Sequence, residues 1–223
     1  MGLLCSVDLR EPSFDSNNLK SVLKKNKLAT DSFYCPLEFR PSYLLLSPFY
    51  LHRAHIVYYG VSGDNLQQLE KVRSLNAPRD GSDRWRDAIF KWQLNWDWSI
   101  NPVSGIIQAE SISLKESTSV HLPCWIYSPT VAIDEKREWH RFVNALVLHE
   151  QTHLNNYIKC LREIEIYFAK IKQGKFEVTP AQADQELRKY IMKLNESDVS
   201  FDLRTNHGRA QGSLLIVTPS FSP

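Results

Sequence analysis

From Phe90 to Ile100 the chain alternates: Phe90, Trp92, Leu94, Trp96, Trp98 and Ile100 are interleaved with Lys91, Gln93, Asn95, Asp97 and Ser99. Period two over this length predicts a half-buried strand of an antiparallel sheet. The tryptophan side is expected to face the core beneath a helix rather than to form a carbohydrate or nucleic-acid platform. Upstream, His55-Ile56-Val57-Tyr58-Tyr59 is β-branched and aromatic, and Gly60 to Asp64 breaks it, which reads as strand then turn. Asp64 or Asn65 can cap a helix with Leu66, Leu69, Val72 and Leu75 on one face, ending in a loop over Asn76–Ser82. Downstream, Asn101–Gly105 is a turn, a second strand is expected through about Ile106–Leu114, and a third over Val120–Ile126.

The period then changes. Trp139, Phe142, Val143, Leu146, Val147, Leu154, Tyr157, Ile158, Leu161, Ile164 and Phe168 fall at helical spacing, predicting a helix from Asp134 to Lys172. Such length in a small domain leaves room for a break in the middle. Another helix fits Pro180–Leu194, with Leu187, Ile191 and Leu194 on one face. Ser197–Pro223 reads as irregular, with a short strand at Leu214–Val217. Residues 1–50 are expected to form an arm or appended layer and 51–223 the main domain. Glu11–Lys27 has weak periodicity, and its Lys20–Lys27 cluster is expected to be a solvated face.

The 223 residues suffice for one domain with a proper core. A formal charge of +2 gives no reason to expect a nucleic-acid or anionic-membrane partner. The longest apolar stretch, Leu44–Leu51, contains Pro48 and is too short to span a bilayer, so no membrane span is expected. The N-terminus lacks the basic start and apolar core of a secretion signal, which points to the cytoplasm. Secretion stays open for a processed fragment. Met1-Gly2 with Ser6 fits a loose acylation pattern too common to carry weight. Cys5, Cys35, Cys124 and Cys160 include no CxxC pair, so reduced thiols are expected, with a Cys35–Cys124 bridge left open.

Chemistry concentrates at His149-Glu150-Gln151-Thr152-His153, an HExxH motif inside the long predicted helix. Residues i and i+4 share a helix face, so the two imidazoles converge on one point, where they suit Zn²⁺. Glu150, one step along and rotated by about 100°, can take a proton from a zinc-activated water during attack on a carbonyl. The motif follows the apolar run Phe142–Leu148, where two histidines and a glutamate would be costly to bury without a purpose. A catalytic zinc needs a third protein ligand and an open position. His140 lies nine residues before His149, about 13 Å along the helix, and cannot share the ion. His207, in a loop with Gly208 and Gly212, is the favoured third ligand. Asp202 either orients a ligand imidazole or is itself the ligand. Glu163 and Glu165 are alternatives that require the helix to break.

The pieces Tyr59-Gly60-Val61-Ser62-Gly63, Leu122-Pro123-Cys124-Trp125, Trp139-His140-Arg141-Phe142, the HEQTH motif, and Asp202-Leu203-Arg204-Thr205-Asn206-His207-Gly208-Arg209-Ala210-Gln211-Gly212 occur in a specific order. In that order the chain resembles the bacterial group of predicted zinc-dependent peptidases catalogued as domain of unknown function nine-two-two, from roughly Ile56 to Ser213. The resemblance implies a Thr-x-His-Gly-x-x-Gln-Gly element after the helix, in support of His207. It implies a reaction class and no substrate. Many members carry a secretion signal, which is not expected here, and Thr152 stands where Gly is frequent.

The expectation is an α+β, zincin-like fold in which an antiparallel or mixed sheet packs on the long HExxH helix. The expected function is a zinc-dependent peptidase acting on a peptide or protein, with Glu150 as general base and His149, His153 and His207 on the metal. One of the strands at Ile106–Leu114 or Val120–Ile126 is the edge to which an extended peptide would add. Tyr157, Arg204 and Arg209 are the candidates for stabilising the oxyanion. The alternatives are a zinc-stabilised binding or regulatory module without turnover, and a metal-dependent amidohydrolase of non-protein substrates.

Overall fold

The computed structural model describes residues 5–6, 33–42 and 51–217. The Glu11–Lys27 stretch, the lysine cluster within it and Met1-Gly2 lie outside these residues. The chain is α+β: the described residues form three long strands, a two-residue edge strand and three helices. These are β1 Cys5–Ser6, β2 His55–Val61, α1 Leu66–Asn76, β3 Ile89–Asp97, β4 Ser113–Trp125, α2 Ile133–Lys172 and α3 Pro180–Thr205. The sheet is mixed, in the order β1-β3-β4-β2. β3 and β4 are antiparallel from Ile89↔His121 to Asp97↔Ser113, and β2 runs parallel to β4.

β3 follows its alternation. Phe90, Leu94 and Trp96 are buried, Trp92 and Trp98 half-buried, and Lys91 and Gln93 exposed. The stripe packs under α2, with the Phe90 and Trp92 rings 5.9 and 5.7 Å from that of Tyr157. Trp96 Nε1 donates to Asp184 of α3 at 3.1 Å, so the one polar atom on that indole is satisfied. Each large side chain so buried contributes about 1.5–3 kcal/mol. Truncating Phe90 would open a cavity directly under the candidate site.

Two strand expectations are corrected. Val120–Ile126 is not a separate strand, because β4 runs unbroken from Ser113 through the polar stretch Lys115–Ser119. That stretch pairs its backbone with Lys91–Asn95, so the ladder holds although few of its side chains are buried. Residues 106–112 are instead a bridge at Ile107 and a short 3₁₀ turn at Ala109–Ser111. With β3 on one side and β2 on the other, β4 is an interior strand and is not the edge expected above.

α2 spans 40 residues without a break, about 60 Å. Asp134 and Glu135 in its first turn and Lys170 and Lys172 in its last complement the helix dipole. Its core stripe runs continuously from Trp139 to Ile171, which is why it does not bend away. α3 opens on Pro180 with a Thr179–Gln182 capping box and folds back along α2. It runs to Thr205, eleven residues past its expected end. The buried stripe Leu187, Ile191 and Leu194 continues through Asp198 and Phe201, and the aspartate hides the periodicity from an apolar count. Leu214–Val217 is not a strand; Arg141 holds the carbonyls of Gly212 and Leu214, each at 2.7 Å.

Cys35 and Cys124 form a disulfide with Cα atoms 6.0 Å apart, which corrects the expectation of reduced thiols for this pair. The bridge fastens the segment 33–42 to the end of β4. Ser42 is held as well, by Asn144 of α2. Cys160 is free and buried. No helix among the described residues is long and apolar enough to cross a membrane.

Candidate metal centre

His149, Glu150 and His153 lie inside α2 and are nearly closed off from solvent, at 6%, 4% and 5% exposure. Helical spacing turns both imidazoles to one side, and their Nε2 atoms approach to 3.3 Å. From α3, Asp202 enters the same gap. Its Oδ1 lies 3.2 Å from His149 Nε2 and 2.9 Å from His153 Nε2. Three donor atoms thus form a triangle with sides near 3 Å. Ligands about 2.0–2.1 Å from one tetrahedral ion stand about 3.3 Å apart, so the donor set fits a zinc-sized cation. Among the described residues these three form the one such group of histidine, cysteine and carboxylate side chains.

Each imidazole is also supported from its far side. Gln211 Oε1 is 3.0 Å from His149 Nδ1, and Asp198 Oδ1 is 2.9 Å from His153 Nδ1. Asn156 donates to the same Asp198 oxygen. Phe201 wedges between the rings, stacked on His149 at 4.9 Å and edge-on to His153 at 5.3 Å. Asp198, Phe201 and Asp202 sit at i, i+3 and i+4, one face of α3, so a single turn of helix supplies ligand, wedge and support.

The electrostatics favour positive charge at this point. Burial works against protonating His153, but its contacts with Asp198 and Asp202 and the charge of Glu150 push it up to about 10. His149 is raised too: burial opposes this, and Asp202, Glu150 and Gln211 outweigh it. Burial alone would raise Asp202, yet the two histidines hold its carboxyl far below the usual range. Surroundings that stabilise imidazolium also stabilise a bound dication.

Glu150 is fixed by the sheet. Phe90 N donates to its Oε2 at 2.6 Å, and Oε1 has no hydrogen-bond partner among the described residues. One carboxylate oxygen is therefore an anchor and the other is available.

His207 is not brought into the triangle. Because α3 continues to Thr205, Asp202 reaches the site first, and the chain turns back through left-handed Asn206, His207 and Gly208. His207 Nδ1 lies 3.4 Å from Asp202 Oδ2, behind the carboxylate, and its side chain is 39% exposed. Burial and the nearby Arg86 and Arg84 lower its pKa against the pull of Asp202. Glu163 is held by Lys193, and the unbroken helix leaves Glu163 and Glu165 about 15–18 Å beyond His153. His140 bonds Tyr127, away from the site.

The three donors open into a cleft of about 670 Å³, walled by the hairpin Asp80–Asp87, the start of β3 at Ala88 and Ile89, and the turn carrying His207 and Arg209. Arg209 lines it. Tyr157 does not, because its hydroxyl donates to Glu116 of β4 at 2.9 Å, and Arg204 lies on the exposed side of α3. Asp198, Phe201 and Gln211 were not anticipated as site residues. The Asp-x-x-Phe-Asp spacing at 198–202 was the available signal.

The turn itself is tightly built. A Cβ at Gly208 would stand 2.5 Å from Ser213 Oγ and 3.1 Å from His149 Cγ, on a backbone with φ of 82°. The chain here passes against the face of a candidate ligand, which only glycine permits.

A family described as "Bacterial protein of unknown function (DUF922)" matches residues 56–208, more than half of the chain and all of the donor triangle. No curated protein and no solved structure matches.

Proposed function

The chain belongs to this bacterial DUF922 family, and on that footing we propose that it is a zinc-dependent peptidase with a zincin-like active site. The observation that carries the reading is the triangle of His149 Nε2, His153 Nε2 and Asp202 Oδ1, with sides of 2.9 to 3.3 Å, beside the anchored carboxylate of Glu150. We assign His149, His153 and Asp202 as the ligands, and His207 as a support for Asp202 in place of a ligand.

A zinc ion bound there would polarise a scissile carbonyl and lower the pKa of water to about 7. Glu150 keeps Oε2 on the Phe90 amide and uses Oε1 to take the proton of the attacking water and pass it to the leaving amine. Gln211 and Asp198 hold the two rings in register, and Phe201 keeps bulk water off their faces. Of Tyr157, Arg204 and Arg209, only Arg209 lines the cleft. An extended substrate would run beside Ala88 and Ile89, where β3 reaches the cleft.

Three protein ligands without a fourth among the described residues favour an enzyme over a purely structural zinc module, which closes its coordination shell. The Cys35–Cys124 bridge belongs in an oxidising compartment, so we favour an extracytoplasmic location over the cytoplasm. The test is elemental analysis with a peptide-library screen on wild type and Glu150→Gln. One zinc per chain in both, with cleavage in wild type alone, is expected. Iron in place of zinc, or cleavage by the variant, would sink the assignment, since two histidines and a carboxylate also suit non-haem iron.

A further inference from the structure

The walls of the cleft carry two kinds of charge, and only one is spoken for. Its carboxylates are all engaged. Asp80 accepts from Arg86 Nε at 2.8 Å and from the backbone amides of Ser82 and Arg84. Asp87 is bonded to Arg73, which Glu70 also holds. Glu150 is bonded to Phe90 N, Asp202 to the two histidines, and Asp198 to Asn156. The guanidinium groups differ. Arg86 spends its Nε and Nη2 on Asp80 and keeps Nη1 unused among the described residues. Arg84 has one long contact to the same carboxylate, 3.4 Å, and is 64% exposed. Arg209 has no ion pair among the described residues.

These arginines are mounted, not scattered. Asp80 is the hub of a closed hairpin. Asp80 N bonds Arg84 O at 2.9 Å, Arg86 N bonds Pro78 O at 2.8 Å, and Arg79 bridges Trp85. This fixes the backbone from which Arg84 and Arg86 project. Arg209 lines the same cleft from the 3₁₀ turn that follows Gly208. Both groups are close enough to His207 or Asp87 for their charge to be felt there. Unspent N–H donors on the walls of a cleft whose carboxylates each already have a partner match a planar anion.

We propose that the cleft takes peptides bearing a carboxylate, gripped by Arg84, Arg86 and Arg209 while the chain lies across the donor triangle. This rests on the peptidase reading for the choice of a peptide. The carboxylate can come from a chain terminus or from an Asp or Glu side chain, and both present the same group.

The experiment separates recognition from turnover. Three N-terminally labelled peptides of one sequence are titrated against the full chain with one equivalent of Zn²⁺, by fluorescence anisotropy at low salt. One has a neutral side chain and an amidated end, one a free C-terminal carboxylate, and one an amidated end with an internal Glu. At least one carboxylate peptide is expected to bind about tenfold more tightly than the neutral one. The better of the two identifies the source. Arg84→Gln/Arg209→Gln should abolish the difference, and Arg84→Lys/Arg209→Lys should restore part of it. Circular dichroism confirms that each variant is folded. Equal binding of all three peptides, no binding by any, or a preference that survives the double glutamine variant overturns the proposal. A peptide that is bound but never cut defeats the peptidase reading and leaves the carboxylate preference standing.

Discussion

Asp202 Oδ1 lies 2.9 Å from His153 Nε2, although the two residues are 49 positions apart and on different helices. It is this contact, and not one to His207, that completes the donor triangle. Asp202→Ala should therefore cost zinc affinity far more than His207→Ala. The expected loss is greater than about 100-fold for Asp202→Ala, and within the 10–100-fold range of a supporting residue for His207→Ala. Competition against a chromophoric chelator measures both. The reverse ranking returns His207 to the metal.

Gln211 and Asp198 hold the outer nitrogens of the two rings. Gln211→Ala and Asp198→Asn are each expected to weaken zinc binding about 10–100-fold while leaving the fold intact. The same chelator titration reads this out. Wild-type affinity in both variants would show that the rings need no support.

Gly208 has no room for a side chain. Gly208→Ala places a methyl against Ser213 and His149 at positive φ, and should cost about 1–3 kcal/mol in urea unfolding. The loss should come with reduced zinc affinity, because the displaced neighbour is a ligand ring. A loss of stability with metal binding untouched would mean that the turn gives way elsewhere.

His121, on β4 beside Ile89, is pulled down to about 4 by burial, with Lys91 and His55 adding positive charge. An unfolded histidine titrates near 6.5. Between about pH 6.5 and 4 the unfolded chain binds a proton that the folded chain refuses. Stability present above pH 6.5 is therefore lost as the pH falls through that window. His121→Asn should reduce the acid-induced loss by ~1 kcal/mol, allowing for the partial exposure of the ring. Urea titrations at pH 7 and 4.5 give the comparison, and parallel losses in both proteins would remove His121 as the cause.

The Cys35–Cys124 bridge closes a loop over a sequence separation of 89. Replacing both cysteines by serine should lower the unfolding free energy by roughly 2–4 kcal/mol. Adding a reductant to wild type should produce the same shift, and should leave the double variant unchanged.

Much of the fold is legible in the sequence because it rests on unbroken periodicities. The alternation at Phe90–Trp98 and the long stripe from Trp139 to Phe168 each report a face that is buried throughout. The candidate ligands on α2 follow from helix geometry alone. The third was harder to read, for one physical reason. Asp198 and Asp202 stand on the buried face of α3, where polar residues are tolerated because histidines meet them. An apolar count therefore stops at Leu194, and the chain beyond it reads as loop. Once the helix is cut short, His207 looks like the group that turns inward. β4 was misread for a related reason, since its polar middle is held by backbone pairing that leaves no apolar signature.

The division of the centre between α2 and α3 also imposes an order in time. On the ribosome His149, Glu150 and His153 are made first, and Asp202 follows 49 residues after His153. At 5–20 residues per second that interval is roughly 2–10 s. Throughout it the nascent chain displays two imidazoles and a glutamate without their counter-ligand, and Gln211 comes later still. The proposed hydrolytic centre therefore cannot assemble before α3 has been synthesised and has folded back along α2. A chain arrested early would be unable to cut its neighbours.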